Sequence, residues 1–326
     1  MSHILWEPSS EAISQSNMTA FIHYINARHQ QNIENYPQLY QWSIENPAAF
    51  WASITDFCGA IASQSADNVM EPSDNMQHTK WFNGAKLNFA ENLLRRRDQH
   101  LAIIFASERG DYRPITYQQL FLETAAVATY LQSLDVGPGD RVVGFLPNVP
   151  ETVIAMLAAT SLGATWSSCS ADFGLQGLLD RFGQIAPKVL FAVDGHTYKG
   201  KSFNHIEKIS QLQKALPSLT HTIVVPYLDE NPDIHSLKNA CYYKDCLEQN
   251  INHFTFSQLP FDHPLYILYS SGTTGKPKCI VHGAGGTLMQ HLKELILHTN
   301  LKPYDRIFFY TTCGWMMWNW LVSSLA

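Results

Sequence analysis

The stretch Leu265-Tyr266-Ile267-Leu268-Tyr269-Ser270-Ser271-Gly272-Thr273-Thr274-Gly275-Lys276-Pro277-Lys278 decides the fold. Five apolar residues followed by hydroxyls and glycines describe a buried strand that ends in a tight polar loop, with a helical pattern expected beyond it. The glycines let backbone N–H groups turn toward an anion with no Cβ in the way. Ser270, Ser271, Thr273 and Thr274 add side-chain donors, and Lys276 and Lys278 add positive charge. A loop so equipped suits a polyphosphate, and a nucleoside triphosphate is its natural guest. By composition alone a flexible Ser/Gly/Thr surface loop stays open as the alternative. A Walker A motif is excluded, because only Thr273 and Thr274 separate Gly272 from Gly275 where that motif needs four residues. Gly283-Ala284-Gly285-Gly286 likewise lacks the spacing of a dinucleotide fingerprint.

Upstream of the loop the chain alternates. Leu101 to Phe105 is a continuous apolar run of strand length, and Thr116-Tyr117-Gln118-Gln119 has the form of a capping box opening a helix that runs to Leu134. Strands are predicted at 142–146, 164–166, 189–193 and 222–225, and helices at 150–162, 175–185 and 206–216. Alternation of this kind calls for an α/β fold with a doubly wound, mostly parallel sheet, because each crossover lays a helix on one face. Ligands of such sheets bind outside the carboxyl ends of the strands, which is where the Ser/Gly/Thr loop falls.

The first part of the chain reads differently. From Asn17 to about Ile61 aromatic and aliphatic residues recur at helical spacing, broken at Pro37 and Pro47, and two or three helices are expected there. Ser63 to His78 is polar and predicted as loop, and Trp81 to Asn92 leads into a further helix. Beyond the phosphate loop, Leu288, Leu292, Leu295 and Ile296 share a helical face. Arg306 to Tyr310 is predicted as a strand delivering Gly314-Trp315-Met316-Met317-Trp318, which composition reads equally as a pocket wall or as a core helix.

The 326 residues, 45% hydrophobic and 15% charged, fit a globular protein of about two domains. A formal net charge of −6 argues against a nucleic-acid partner, since Arg95-Arg96-Arg97 is the one basic block and reads as the solvated end of a helix. Among six cysteines only Cys241 and Cys246 lie near each other, so neither a zinc spacing nor a disulfide framework is present, and reduced thiols in a cytoplasmic setting are expected. No membrane partner is expected: the N-terminus lacks a signal-peptide pattern, and no run reaches the 18 or so apolar residues of a membrane span. The last residues, Leu321 to Ala326, are apolar and uncapped and read as a cut through a domain.

The order Ser-Ser-Gly-Thr-Thr-Gly-Lys-Pro-Lys resembles the signature loop of the adenylate-forming enzymes, with Cys279 standing where that family usually has glycine. The segment Trp81 to Asn92 and the helical region before it resemble the N-terminal extension of acetyl-CoA-type synthetases, and Gly314 to Trp318 is similar to their acetoacetate-activating branch. The resemblance implies a helical extension over 1–94 and the first part of an AMP-binding domain over 95–326. It implies ATP, Mg²⁺ and CoA, and activation of acetoacetate as an acyl-adenylate before transfer to CoA. Ser270 to Gly275, Lys276 and Lys278 would hold the ATP phosphates; Trp315, Met316 and Met317 would line the acyl pocket. Tyr198, Lys199 and Lys201 would lie at the CoA phosphate, where acetyl-CoA synthetases carry arginines at the positions of Tyr198 and Lys201; a surface turn is the alternative there. The family's catalytic lysine and its Mg²⁺- and ribose-binding carboxylates fall later than these 326 residues. No catalytic residue is therefore assigned, and a C-terminal polypeptide completing the enzyme is expected. Another short-chain acid (acetate, propionate, hydroxybutyrate), or a non-catalytic nucleotide-binding remnant, is the alternative.

Overall fold

A computed structural model describes residues 5–270 and 275–326. The chain opens with four helices, α1 (Ser10–Ser14), α2 (Asn17–His29), α3 (Tyr36–Glu45) and α4 (Pro47–Phe57). Prolines near the starts of α3 and α4 fall where a helix has no use for the missing N–H. Phe21 packs edge-on against Phe50 and Phe57, so the helical aromatic spacing serves a core. The polar stretch predicted as loop holds β1 (Asn68–Glu71), which pairs antiparallel with β2 (Lys80–Asn83). Its two-residue apolar content is too short for a period to show. β3 (Lys86–Leu87) and α5 (Phe89–Leu93) follow.

Leu101 to Phe105 forms a strand, β4 (Leu101–Ala106), but outside the main sheet: it pairs antiparallel with β5 (Tyr112–Thr116) through a short turn. The predicted capping box is present, Thr116 accepting from the N–H of Gln119 at 3.1 Å while the Gln119 side chain accepts from the N–H of Thr116 at 3.0 Å, and it opens α6 (Tyr117–Ser133). Arg95, Arg96 and Arg97 do follow a helix, but two of them stack on rings, Arg96 over Tyr117 and Arg97 over Phe121.

The main sheet is built from β6 (Arg141–Phe145), α7 (Pro150–Ser161), β7 (Thr165–Cys169), α8 (Leu175–Phe182), β8 (Val189–Val193), the hairpin β9 (Gly195–Tyr198) and β10 (Lys201–Asn204), α9 (Ile206–Ala215), β11 (His221–Val225) and β12 (Ala240–Tyr242). β13 (Leu259–Pro260) pairs with β3, and β14 (Pro264–Ser270) returns to the main sheet beside β7. The strand order is β12-β11-β8-β6-β7-β14, all parallel, closed at one edge by the antiparallel β15 (Lys278–Gly283). The chain leaves β6 toward β7, then crosses back to β8 on the other side, so the sequence-based reading of a doubly wound, mostly parallel sheet is borne out. The step from β7 to β8 makes the switch point at which such sheets bind ligands.

Side chains alternate between two cores, as a strand's two-residue period requires. Val142, Phe191 and Val193 face one core, with α5, α6, α7 and α10 (Ala284–Leu292); Val143, Phe145, Leu190 and Ala192 face the other, with α8 and α9. Gly144 lies on the first face, where a Cβ would meet the Trp166 ring at 2.8 Å. After α10 the helix widens into a π turn over Lys293–His298.

The strand predicted at 306–310 is absent. The segment makes no sheet pairing, and Phe308 is 82% exposed. β15 occupies the place beside β14, and an apolar run without a partner ladder has no reason to extend. The chain ends in α11 (Met316–Val322) and a short 3-10 turn. Among the described residues no helix is long and apolar enough to cross a membrane.

Candidate active site

The phosphate loop leaves the C-terminal end of β14, as its sequence predicts, but a strand rather than a helix receives it. Ser270 pairs across the ladder with Lys278, and Tyr269 with Cys279, so the loop closes a hairpin. The signal that was missed is Ile280-Val281, a short β-branched pair between the lysines and the glycines. Ser271, Gly272, Thr273 and Thr274 lie outside the described residues. Gly275 sits at φ +145°, a conformation that L side chains avoid. Lys276 and Lys278 are both exposed, so their charges face solvent rather than the core. Gln184, just beyond α8, donates to the carbonyl of Pro277 at 2.9 Å and anchors the loop's returning arm.

The base of the loop is tied to the sheet. Ser167 Oγ donates to the carbonyl of Ile267 at 2.7 Å, which leaves it to accept from the Tyr269 hydroxyl at 3.1 Å. Burial holds the Tyr269 phenol well above its usual range, so it stays a neutral donor. Cys279 packs against the same core as Tyr269, with its thiol raised by burial. Its side chain thus fills space on the sheet face, which glycine would leave open.

The segment before α11 docks on the ends of β6 and β7. Ser168 Oγ donates to the Cys313 carbonyl at 2.6 Å, Cys313 Sγ donates to the Leu146 carbonyl at 3.0 Å, and Trp318 Nε1 donates to Asn148 Oδ1 at 2.9 Å. A Cβ at Gly314 would stand 3.5 Å from the Ser170 backbone nitrogen, an ordinary contact. Of the three residues assigned to an acyl pocket, Met316 lines a cavity of about 420 Å³ together with Asn319, Tyr266, Leu268, Val281 and His291. Trp315 is 69% exposed, and Met317 is half-buried.

That cavity has a polar side which sequence reading missed. His291 is buried, and its Nδ1 lies 2.7 Å from Ser323 Oγ, whose own proton goes to the Asn319 carbonyl at 3.0 Å. Nδ1 therefore carries the proton and donates to Ser323. Burial pushes His291 down to about 4, assisted by His282, so the ring is neutral near pH 7. Histidines on helices carry no distinguishing spacing, which is why nothing in the sequence marked this one.

Tyr198, Lys199 and Lys201 belong to the β9–β10 hairpin, which directly follows the C-terminal end of β8. Lys199 at φ +50° and Gly200 at φ +72° form its two-residue turn, so the surface-turn reading and the ligand reading describe the same exposed object. Gly200 lines a second cavity, about 470 Å³, with Thr197, Ser202, Leu228, Glu108 and Arg109. Arg109 comes from the β4–β5 turn, far away in sequence, and donates to the Tyr227 carbonyl. Beneath the hairpin, His196 Nδ1 and His205 Nε2 are 2.8 Å apart with stacked rings, and burial drives His205 down to about 3. Asp194, buried at the end of β8, accepts from the N–H groups of Tyr227, Leu228 and Asp229 at 2.6–3.1 Å and fixes the neighbouring loop.

A Ser/Gly/Thr loop at the carboxyl end of a parallel strand, on a doubly wound sheet, is the arrangement of an α/β ligand-binding domain. The chain belongs to the AMP-binding enzyme family, which matches residues 89–325. Residues 36–93 match the acetyl-coenzyme A synthetase N-terminus. Among curated proteins it is similar to the acetoacetyl-CoA synthetase of Gallus gallus, 44% identical over 100% of this chain and 50% of the relative. The acetoacetyl-coenzyme A synthetase of Rhizobium meliloti is 43% identical over 99% of this chain and 49% of its own. The solved acetoacetyl-CoA synthetase from Streptomyces lividans superposes with a TM-score of 0.94 at 40% identity, over 99% of this chain and 50% of that one. The chain thus spans about half the length of the relatives it matches.

Proposed function

We propose that this chain forms the nucleotide- and acyl-binding part of an AMP-forming acid–thiol ligase that converts acetoacetate, ATP and CoA into acetoacetyl-CoA, AMP and pyrophosphate. The observation that carries the reading is the loop between the paired Ser270 and Lys278, at the carboxyl end of a parallel strand, in a chain 42–44% identical along its length to acetoacetyl-CoA synthetases. In the first step a carboxylate oxygen attacks the α-phosphorus of ATP and pyrophosphate leaves; in the second the CoA thiol displaces AMP from the acyl carbon. This chain's residues would bind and orient. Ser270, the backbone at Gly275, Lys276 and Lys278 would offset phosphate charge, and the loop residues outside the described set would add donors in the same role. Met316 and the cavity wall would shield the acyl group from water, with Trp315 and Met317 flanking it. The β9–β10 hairpin, through Tyr198, Lys199 and Lys201, would meet CoA phosphate.

Among the described residues no group of three or more His, Cys, Asp or Glu stands ready to ligate a metal. Mg²⁺ would come bound to the nucleotide phosphates. Residues 1–94 would form the helical extension and 95–326 the first part of the AMP-binding domain. A polypeptide equivalent to the remaining half of the relatives would complete the enzyme.

A second reading, a ligase for a different short-chain acid, rests on a relative named malonamoyl-CoA synthetase from Penicillium aethiopicum, 40% identical over 99% of this chain. Acetoacetate-dependent exchange of labelled pyrophosphate into ATP tests both. Exchange by the 326-residue chain, alone or supplemented with the second half of a relative, supports the assignment. Exchange with acetate, propionate or hydroxybutyrate but not acetoacetate would shift it to the second reading, and none with any acid, despite tight ATP binding, leaves a nucleotide-binding remnant.

A further inference from the structure

The cavity between β14, β15, α10 and α11 is walled in part by two polar atoms that the fold leaves without partners. Tyr266, on β14, is 1% exposed and its ring packs edge-on against Phe89 at 5.6 Å, but its hydroxyl makes no hydrogen bond. Asn319, on α11, is equally buried; its Nδ2 donates to the Trp315 carbonyl at 3.4 Å, and its Oδ1 accepts from nothing. Both residues line the same cavity of about 420 Å³ as Met316. A buried polar group without a partner is costly, so two of them on the wall of one cavity call for a guest.

The rest of the wall says what kind of guest. Among the described residues that line the cavity there is no Lys, Arg, Asp or Glu, and burial lowers both His282 and His291, which are neutral near pH 7. A carboxylate or phosphate inside would lose its water and gain no countercharge. What the cavity offers is hydrogen bonding to a neutral group. Thr287 and Gln290 lie nearer the surface, and the buried donor is the Tyr266 hydroxyl, which burial keeps protonated. Asn319 Oδ1 is an acceptor, and so is His291 Nε2, because the proton of that ring is committed to Ser323. A carbonyl oxygen entering the cavity is turned away by these two and finds its buried donor at Tyr266.

We propose that Tyr266 is a specificity-determining residue of the acyl cavity, its hydroxyl donating to the ketone oxygen of a short 3-oxo acid. The inference rests on the reading of this cavity as the acyl site and adds to it the atom that tells acetoacetate from a plain fatty acid of the same length. The acid's carboxylate stays at the mouth, toward the nucleotide, since the wall has no charge to receive it. Its C3 carbonyl is then the one oxygen that reaches the interior. A water donating to Asn319 Oδ1 and to the second lone pair of the ketone satisfies the remaining acceptor. Butanoate, with no oxygen at C3, enters the same space and leaves the Tyr266 hydroxyl unpaired, which is how a polar pocket rejects an analogue that lacks the polar group.

The test titrates the 326-residue chain with acetoacetate and with butanoate at saturating AMP, for wild-type protein and for Tyr266→Phe, which keeps the ring and deletes only the oxygen. Wild-type protein is expected to bind acetoacetate roughly tenfold or more tighter than butanoate. In Tyr266→Phe the two affinities should come within about twofold, through a loss for acetoacetate alone. The thermal midpoint of the variant should not fall, because a hydroxyl without a partner contributes no bond to the fold; a lowered midpoint would assign the hydroxyl to the fold and overturn the proposal. Equal affinities in wild-type protein, or an unchanged ratio in the variant, overturn it too and leave the acyl-site reading standing. Binding of AMP but of neither acid overturns both.

Discussion

Gly275 has φ +145° and nothing within 4 Å of where a Cβ would stand, so the objection to a side chain there is conformational and not spatial. Alanine would have to hold a backbone region open in practice only to glycine, at a cost of about 1–3 kcal/mol, or let the loop relax away from it. Gly275→Ala is therefore expected to weaken ATP binding roughly tenfold by calorimetry while leaving the thermal midpoint of unfolding nearly unchanged. A full loss of folding would show instead that the loop supports the sheet. Lys278→Ala should also weaken binding, by removing charge, and its effect should shrink as salt is raised, which that of Gly275→Ala should not. Salt dependence separates the two causes.

At the scale of elements, Asn88 shows how one side chain joins α5, α7 and the irregular segment leading into β13. Its Oδ1 caps α5 by accepting from the N–H of Glu91 at 3.1 Å, and its Nδ2 reaches the carbonyls of Thr160, Ser161 and Ser257 at 2.9–3.2 Å. The residue is buried, so water cannot replace those donors. Asn88→Ala should cost about 2–4 kcal/mol, a lost cap plus unsatisfied carbonyls, measured by denaturant unfolding. A cost below about 1 kcal/mol would mean that the end of α7 recruits water.

The elements also show what a sequence makes legible. α6 declared itself by a capping box and β8 by an unbroken apolar run, because those signals are local. β4 had the same apolar look yet joins a separate hairpin, since apolarity sets burial but not the partner strand. That a polar loop follows β14 was readable from its residue order; its antiparallel return through β15 depends on a neighbour and was not. Arg109 and His291 reach their cavities, and His196 reaches His205, through the fold alone, from positions with no spacing to betray them.

For the molecule as a whole, buried neutral histidines govern behaviour in acid. His205 falls to about 3 and His291 to about 4, and His196 is lowered too, burial being the leading cause in each. An unfolded chain regains histidines that titrate near 6.5. Below that pH the unfolded state takes up protons that the folded state refuses, so stability is complete above about 6.5 and declines as pH falls toward 3. The lowered carboxyls of Asp98 and Glu294 contribute only at the acid end of that window. Melting temperature is thus expected to drop between pH 6.5 and 5, before carboxylates titrate, and His205→Gln should flatten that limb. An unchanged slope would point to the other histidines.

The pairing of Ser270 with Lys278 carries one more consequence. Because a continuous ladder joins the two ends of the phosphate loop, the chain entropy lost in bringing them together is spent during folding, before any nucleotide arrives. On the proposed function, the separation of Ser270 and Lys278 would be the same whether a triphosphate, a pyrophosphate or an adenylate lay between them. A receptor whose gape is set by its own sheet can exchange one phosphate species for the next without being rebuilt between them.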